Sequence, residues 1–201
     1  MIPAIVLAAG RSSRMGQPKA NLSIGGDTFL TRVVRTLTEA GVGEVVVVLG
    51  HEPERIARDF ARSGLEARLV ENPRYASGQL SSILVGLDAV DRADVEAALV
   101  TLVDVPLVSV STVRAVLDTY RRTGAPVVRP TRGTEHGHPL LVARSLFGAL
   151  QRAEPEAGAK PIVRAHASVA GDIAIDDPGA FLDIDTPEEY QAALRTISAA
   201  R

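Results

Sequence analysis

The first residues able to carry out chemistry form a short cationic loop directly after an apolar run, Ile5–Ala9. This loop contains two glycines and three cations, at Gly10, Arg11, Arg14, Gly16 and Lys19. No acidic residue precedes Asp27, so nothing nearby in the sequence neutralises the cations. A buried strand that ends in such a loop can direct backbone N–H groups and charged side chains at phosphate. The pattern predicts a nucleoside-triphosphate site, and a solvated surface loop is the alternative.

Carboxylates occur at two later points where predicted strands end. Asp104 follows the apolar run Val100–Val103 and precedes Val105-Pro106, where proline ends strand pairing. Asp183 and Asp185 are one residue apart in a predicted strand and would point to the same face. Carboxylate oxygens in such positions suit a divalent ion, Mg²⁺ above all. Turn formation is the alternative role for Asp104 and for Asp183.

Two further segments contain polar residues beside glycine. Within Asn72–Ser82, Gly78, Ser81 and Ser82 can hydrogen-bond a base or a ribose at a helix N-terminus, although helix capping explains either serine equally well. The other segment is Glu135–Pro139, in which two histidines stand two residues apart. A metal site there is disfavoured, because no third ligand lies nearby in the sequence.

Composition excludes several classes of protein. The chain has 201 residues, 46% hydrophobic and 23% charged, which predicts one folded domain over residues 1–201 and argues against disorder. A formal net charge of −2 argues against a nucleic-acid or membrane-surface binder. The absence of cysteine excludes disulfides, thiolate metal sites and cysteine nucleophiles. No apolar segment approaches the roughly 18–20 residues of a membrane span, and the N-terminal run lacks the basic residues of a signal peptide, so we expect a cytoplasmic protein.

Apolar runs alternate with segments of helical periodicity in the first half of the chain. Strands are predicted at Pro3–Ala8, Glu44–Leu49, Glu66–Glu71 and Ala97–Val103, and helices at Thr28–Ala40, Pro53–Ser63 and Gln79–Val90. Nearly continuous hydrophobicity in these strands is typical of a parallel sheet covered on both faces. The sequence therefore predicts an α/β fold with a doubly wound, mostly parallel sheet, which binds ligands beyond the carboxyl ends of its strands.

The second half is less regular. Helices are predicted at Ser111–Arg122, Ser145–Arg152, Lys160–Ala167 and from Thr186 to about Ser198, and strands at Ala125–Arg129, Pro139–Ala143, Val169–Ile175 and Phe181–Ile184. Thr186, Pro187 and Glu189 form a strong helix start, so Glu188 and Glu189 are interpreted as capping and dipole residues.

The motifs in this order resemble the MobA-like nucleotidyltransferases from Ile2 to about Leu194. The signature residues are Leu7-Ala8-Ala9-Gly10, Ser12, Arg14-Met15-Gly16 and Lys19, followed by Asn72–Ser82, Asp104, Gly137-His138-Pro139, Ala157–Lys160 and Phe181–Tyr190. The chain is more similar to the molybdenum cofactor cytidylyltransferases than to the guanylyltransferases, which usually have Gly and Asp where this chain has Ala9 and Pro18. It departs from the cytidylyl pattern at Val105, usually Gln, and at Lys160, usually Arg.

The resemblance implies a Rossmann-like nucleotidyltransferase fold with a small irregular subregion on the acceptor side. It also implies a Mg²⁺-dependent reaction in which the terminal phosphate of molybdopterin attacks the α-phosphorus of CTP and pyrophosphate leaves. By the same resemblance, Lys19 contacts the α-phosphate, Arg14 contacts the β- and γ-phosphates, and His138 and Lys160 face the acceptor. The implied metal ligands are Asp104 and Asp185, with Asp183 as a second candidate. The implied nucleotide contacts are Leu7, Ala8, Ala9, Gly10, Arg11, Gly78, Ser81 and Ser82.

Other functions remain open from the sequence. Within the same class, the chain could transfer a guanylyl group, or transfer a nucleotide to a sugar phosphate or another phosphate. Some proteins of this sequence type are nicotine-blue oxidoreductases that use nicotinamide nucleotides, and a third option is a non-catalytic module that delivers cofactor to a molybdoenzyme or its chaperone. Asp104 and Asp185 distinguish nucleotidyl transfer from nicotinamide-dependent oxidoreduction, because hydride transfer needs no paired metal carboxylates.

Overall fold

The computed structural model describes residues 1–199, so the end of the predicted domain at residue 201 lies outside the described residues. The strands are β1 (Ala4–Ala8), β2 (Ser23–Ile24), β3 (Asp27–Thr28), β4 (Val45–Leu49), β5 (Arg68–Glu71), β6 (Ala97–Leu102), β7 (Val127–Arg132), β8 (Glu135–His136), β9 (Leu140–Ala143) and β10 (Asp172–Ala174). The α-helices are α1 (Phe29–Glu39), α2 (Pro53–Ala61), α3 (Gln79–Val90), α4 (Val110–Thr123), α5 (Phe147–Gln151), α6 (Lys160–His166) and α7 (Pro187–Ala199). Short 3₁₀ helices cover Lys19–Asn21, Tyr75–Ser77, Arg144–Leu146 and Pro178–Phe181.

The main sheet has the strand order β10-β7-β9-β6-β1-β4-β5, with β8 paired to β7 and β2-β3 forming a separate hairpin. The four neighbours β6, β1, β4 and β5 are mutually parallel, and β10 is parallel to β7. Strand β9 lies antiparallel between β6 and β7. This arrangement confirms the predicted mostly parallel α/β sheet.

Successive residues of the central strands enter different cores, as the two-residue period of a strand requires. In β1, Ala4 and Val6 pack on one face, whereas Ile5 and Leu7 pack on the other. Helices α1, α2 and α4 supply apolar side chains to the first face, and α3 and α5 supply them to the second. Both faces are therefore covered, which explains the lack of polar alternation in these strands.

Helix α3 lies directly on β1 because of a glycine. A β-carbon at Gly86 would lie 2.3 Å from Cγ2 of Ile5. The close approach fixes α3 against the centre of the sheet. Its N-terminus at Gln79 follows the loop that leaves the carboxyl end of β5, where a doubly wound fold binds its ligands.

The structure corrects several predicted elements of the second half. Strand β7 does not end at Pro130 but continues to Arg132, because Pro130 uses its carbonyl group to accept from Gly137 N (2.9 Å) and needs no donor there. The predicted helix at 145–152 is a 3₁₀ turn followed by the short α5. The predicted strand Phe181–Ile184 is absent: a 3₁₀ turn ends at Phe181, Leu182 is extended, and residues 182–185 belong to no strand.

None of the helices within residues 1–199 has the length and apolar character needed to cross a bilayer.

Candidate active site

A cavity of about 420 Å³ lies where the parallel strands β1 and β6 end. The two strand ends are joined by a hydrogen bond from Val103 N to Leu7 O (3.1 Å), so the loops that follow them share one edge of the sheet. The cavity lining includes ten predicted site residues: Leu7, Ala8, Ala9, Gly10, Arg14, Lys19, Gly78, Ser82, Asp104 and Asp185. Four distant segments thus meet at the place that the topology predicts for a ligand.

Lys19 joins two carboxylates that are remote from it in sequence. Its Nζ donates to Asp104 Oδ2 at 2.7 Å and also to Asp185 Oδ1. Lys19 begins a 3₁₀ turn, and its backbone N–H donates to Oγ of Ser12 (3.0 Å), which ties the lysine to the cationic loop. The Lys19 side chain is only 11% exposed, whereas that of Asp185 is 51% exposed.

The electrostatics of this cluster keep Lys19 charged. Burial lowers the pKa of its ammonium group. The hydrogen bonds to Asp104 and Asp185 and the charges of these carboxylates raise the pKa by a larger amount, so the net pKa lies above the ordinary 10.5. A protonated lysine is held at the base of the cavity, where it can face either carboxylates or phosphate.

Asp104 has a free coordination position. Its Oδ1 is buried and has no hydrogen-bond partner among the described residues, although Oδ2 binds Lys19. An unpaired buried carboxylate oxygen is costly unless a ligand satisfies it. Within residues 1–199, no three His, Asp, Glu or Cys side chains form a ready metal cage. The donor set fits Mg²⁺, which typically binds one or two carboxylates together with water and substrate phosphates.

Asp185 reaches the cluster from a segment that is not a β-strand, because the neighbouring Ile184 is anchored. Ile184 is fully buried, and its N–H donates to Asp104 O at 2.9 Å. Asp183 and Asp185 flank this anchored residue in a segment that belongs to no helix or strand. One hydrogen bond and one buried side chain thus replace the predicted ladder, and Asp185 lines the cavity whereas Asp183 does not.

Asp183 lies beside His138, outside the cavity lining. Burial, together with the charges of Asp104 and Asp185, raises the pKa of Asp183 above its ordinary value, although His138 and Lys19 act against this shift. Burial lowers the pKa of His138 despite the opposing influence of Asp183, the Val100 carbonyl and Asp104. The Nδ1 atom of His138 is buried and has no hydrogen-bond partner among the described residues.

Asn72 holds the segment that forms another wall of the cavity. Its side-chain Nδ2 donates to Oγ of Ser81 (2.9 Å) and of Ser82 (3.0 Å), and its Oδ1 accepts from Arg74 N (2.9 Å). The residue is 1% exposed. Ser82 lines the cavity, whereas Ser81 does not and donates to the carbonyl groups of Arg74 and Gly78. No side chain caps the N-terminus of α3, so the structure shows neither serine in the capping role.

Two other predicted site residues also lie outside the cavity lining. The guanidinium of Arg11 lies over the ring of Tyr75, 5.9 Å from its centroid. Lys160 is exposed at the first residue of α6, while Ile162 of that helix packs on the second core.

Sequence reasoning missed some lining residues, among them Ser13, Tyr75, Ala76 and Gln79. Tyr75 left a signal, because it is an aromatic residue within a polar loop of a chain with only 3% aromatic residues. The other three are small or polar residues with no pattern of their own.

Residues 4–169 match the family model described as the MobA-like NTP transferase domain. The chain belongs to this family. The predicted resemblance is thereby confirmed, and the match covers the cationic loop, Asn72, Asp104 and His138 but ends before Asp185.

Two curated relatives of this MobA-like domain align along nearly its whole length. Nicotine blue oxidoreductase of Paenarthrobacter nicotinovorans is 32% identical, with 96% of each chain covered. Molybdenum cofactor cytidylyltransferase of Escherichia coli (strain K12) is 29% identical, with 96% of this chain and 95% of that protein covered. A bifunctional IPC transferase and DIPP synthase of Rubrobacter xylanophilus is 43% identical over only 90 residues, which span 21% of its length.

Solved structures share the fold of this MobA-like domain. A nucleotidyl transferase from Methanothermobacter thermautotroptrophicus superposes with a TM-score of 0.82 at 25% identity, covering 100% of this chain and 99% of that one. The Rv0371c protein of Mycobacterium tuberculosis H37Rv, solved as a complex with manganese, gives 0.76 at 26% identity, covering 97% and 98%. The protein is therefore a nucleotidyltransferase of the MobA-like family with a Rossmann-like fold.

Proposed function

We propose that the protein is a Mg²⁺-dependent CTP:molybdopterin cytidylyltransferase. The observation that carries the proposal is the convergence of Lys19, Asp104 and Asp185 on one point of a cavity bounded by the cationic loop. A cation flanked by two carboxylates beside a glycine-containing loop suits a metal-bound triphosphate. The family and the cytidylyltransferase relative support the same class of reaction.

The reaction needs little beyond positioning and charge. An oxygen of the terminal phosphate of the acceptor bonds to the α-phosphorus of CTP, and the bond from that phosphorus to the β-bridging oxygen breaks. Pyrophosphate leaves with the electron pair, and the acceptor phosphate, whose second pKa is about 6, needs no general base at neutral pH. Fixed positive charge around the α-phosphate and the leaving group is the main demand on the protein.

Each part of the cavity has a role in this proposal. Lys19 neutralises the α-phosphate, Arg14 binds the β- and γ-phosphates, and Leu7–Gly10 contact the nucleotide through their backbone. Asp104 and Asp185 would hold Mg²⁺, which supplies positive charge to the phosphate oxygens when bound. Asp183 is the second candidate ligand, but its raised pKa and its place outside the lining favour Asp185.

The base and the acceptor are assigned through similarity. Ala9, a cavity residue, stands where guanylyltransferases usually have glycine. Gly78 and Ser82 also line the cavity and are proposed to contact the base or the ribose. His138 and Lys160 are proposed to face the molybdopterin acceptor. We further propose a cytoplasmic location and transfer of the product to a molybdoenzyme or its chaperone, with no nucleic-acid or membrane partner.

The deciding experiment measures pyrophosphate release with CTP, GTP, ATP and UTP in turn, with Mg²⁺, with and without molybdopterin. Acceptor-dependent release with CTP alone is the expected result. Release with GTP instead would assign guanylyl transfer, and release with a sugar phosphate but not with molybdopterin would overturn the acceptor.

A nicotine-blue-type oxidoreductase is the second candidate, because the relative of that name is 32% identical along nearly the whole chain. Oxidation of NAD(P)H by a quinoid dye, without consumption of any triphosphate, would establish it. The variant Asp104→Asn separates the two chemistries, because hydride transfer makes no use of a metal carboxylate. It should abolish pyrophosphate release and leave a genuine NAD(P)H oxidation unchanged.

A further inference from the structure

Gly50 lies where the β-carbon of any other residue would come too close to two neighbouring side chains. It is buried at the carboxyl end of β4, directly after Leu49, and does not line the cavity itself. A β-carbon at this position would lie 2.6 Å from Cβ and 2.7 Å from Cγ of Tyr75, and 2.8 Å from Cβ of Ala9. All three distances are shorter than real non-bonded carbon contacts, which are about 3.5–4.0 Å at their optimum.

The backbone at Gly50 gives no other reason for glycine. Its φ is outside the left-handed region that favours glycine over other residues. The requirement is therefore purely steric, and it comes from the two neighbours. Glycine inside or at the end of a strand often marks such a close approach.

Both neighbours line the cavity, and both are attached to the chain beside Gly50. The N–H of His51 donates to Ala9 O (3.2 Å), and the N–H of Asn72 donates to Leu49 O (2.8 Å). Asn72 O in turn accepts from Tyr75 N (3.2 Å). The cationic loop and the Tyr75 segment are thus hydrogen-bonded to the residues on either side of Gly50.

The contacts involve parts of Tyr75 that cannot swing away. Cβ and Cγ are the root of the side chain, so the ring moves only if the backbone or χ1 changes. The ring is also engaged elsewhere, by the guanidinium of Arg11 at 5.9 Å from its centroid and by His51 Nδ1, 3.4 Å from the Tyr75 hydroxyl. A side chain at position 50 must therefore displace the ring, Ala9 or both.

We propose that Gly50 is a positioning residue for nucleotide binding, acting by letting Tyr75 and Ala9 approach each other and so fixing the width of the cavity between them. The inference rests on the proposed function, since it takes the cavity to be the nucleotide site. The ligand part concerned is the nucleoside, whose flat base can pack against the aromatic ring. The nearest atoms to a β-carbon at Gly50 belong to Tyr75 and Ala9 and not to Lys19, Asp104 or Asp185, so the groups proposed for the chemical step are not the ones displaced.

The test compares Gly50→Ala with the control Gly43→Ala. Gly43 precedes the same strand, has no left-handed φ, and a β-carbon there meets nothing within 4 Å. We expect Gly50→Ala to raise the Kd for Mg·CTP, measured by calorimetry, and the KM for CTP by about 10-fold or more, the worth of a base–aromatic contact, with kcat at saturation within about 3-fold. Gly43→Ala should match the parent protein. Unchanged CTP affinity in Gly50→Ala would overturn the proposal.

A rescue separates positioning from general damage to the fold. Tyr75→Gly removes both contact atoms of the tyrosine and leaves space into which a side chain at position 50 can move away from Ala9 Cβ, its remaining close neighbour. Gly50→Ala in that background should therefore change the Kd by less than about 3-fold relative to Tyr75→Gly alone. Circular dichroism and thermal melting show whether each variant is folded at the assay temperature. A double variant whose Kd is about 10-fold or more above that of Tyr75→Gly, or that is unfolded although Tyr75→Gly is folded, would contradict action through Tyr75.

The same titrations include NADPH as a ligand for the parent protein. If the parent binds NADPH and no triphosphate, the proposed function fails, whereas the role of Gly50 is still judged by the NADPH affinities of Gly50→Ala and Gly43→Ala. The two failures are therefore distinguishable.

Discussion

Two walls of the cavity are built on opposite principles. One wall is a charged cluster of Lys19, Asp104 and Asp185, whose members hold one another across distant segments. The other is a neutral frame in which Asn72 satisfies Ser81, Ser82 and a backbone N–H. The neutral frame uses its central hydrogen bonds within the protein, whereas the charged cluster leaves a buried carboxylate oxygen without a partner among the described residues.

This difference suggests how the two walls divide their work. A frame whose polar groups are paired internally contributes stability and a fixed shape. A charged cluster with an unpaired oxygen spends stability on groups that a ligand must complete. Substitutions in the cluster should therefore change catalysis more than folding, and substitutions in the frame should change both.

The largest effect is expected for Lys19→Ala. Loss of the cation that we propose to face the α-phosphate should lower kcat about 10²–10³-fold in pyrophosphate release, the range seen when one electrostatic donor to a transition state is removed. Arg35→Ala is the control, because it removes a comparable ion pair, with Asp27, outside the cavity. Near-normal turnover in folded Lys19→Ala would remove the charged cluster from the mechanism and break the contrast between the walls.

Much of the charged wall could be predicted from the sequence, because its residues follow apolar strands or stand in a local motif. Strands β1, β4 and β6 were predicted to within one residue at each end, and Asp104 follows directly from the position of β6. Asp185 was predicted for a partly wrong reason, since its segment is held by Ile184 rather than by a ladder. Local periodicity cannot distinguish a paired strand from an extended segment with one anchoring hydrogen bond.

The neutral wall was predicted less well, because its roles depend on tertiary contacts. Ser81 and Ser82 are adjacent and identical in type, yet only Ser82 lines the cavity. In the sequence, Gly50 is an ordinary residue at the end of a strand. Glycine is required there only because Tyr75 and Ala9, which are remote in sequence, lie too close for a β-carbon. Similarly, β7 continues through Pro130 because of a partner, Gly137, that no local rule identifies.

A second, intermediate effect is expected for Asn72→Leu. The variant removes one buried and two part-buried hydrogen bonds, to Ser82, Ser81 and Arg74 N, so it should lower the free energy of unfolding by about 2–4 kcal/mol. It should also raise the KM for the nucleotide, because the frame positions Tyr75 and Ser82. Urea denaturation and steady-state kinetics measure the two quantities.

Ser81→Ala is the matched control for the frame. It removes one hydroxyl outside the cavity lining, so the KM for the nucleotide should stay within about 2-fold. The free energy of unfolding should fall by about 1 kcal/mol, because the hydrogen bonds of this hydroxyl are lost. A large rise in KM would instead make Ser81 a nucleotide contact, as the sequence allowed.

A third test compares a structural carboxylate, Asp177, with the carboxylates of the charged cluster. Asp177 accepts from Thr112 Oγ1 (2.6 Å), Ser109 N (2.9 Å) and Gly179 N (3.1 Å), and so fastens the loop before Pro178 to the start of α4. Burial raises the pKa of Asp177, but these hydrogen bonds lower it by a larger amount, so the net pKa lies below the ordinary 3.8. Asp177→Asn should lower the free energy of unfolding by about 1–2 kcal/mol at pH 7 and leave kcat unchanged.

The pH dependence of that loss follows from the sign of the shift. A depressed folded pKa means that the carboxylate contributes its stability above the unfolded value of 3.8 and loses it as the pH falls through the folded value. The difference between the parent and Asp177→Asn, measured by urea denaturation from pH 7 to pH 3, should therefore narrow only near the acidic end. A constant difference across this range would show that charge plays no part at Asp177.

The smallest effect is expected at Lys160, and it limits how far the charged wall extends. Lys160 is exposed on α6 and does not line the cavity, so we expect it to act on the proposed acceptor only weakly and through solvent. Exposed charges contribute about 0–1 kcal/mol and are screened by salt. Lys160→Ala should therefore raise the KM for molybdopterin by about 2–5-fold at low ionic strength and leave the KM for CTP unchanged. This effect should disappear at high salt. Arg164→Ala, on the same helix, is the control and should change neither constant. Equal effects of both variants would mean that α6 attracts the acceptor through its overall charge rather than through Lys160. The proposed acceptor site would then be a diffuse charged surface, unlike the localised cluster around Lys19.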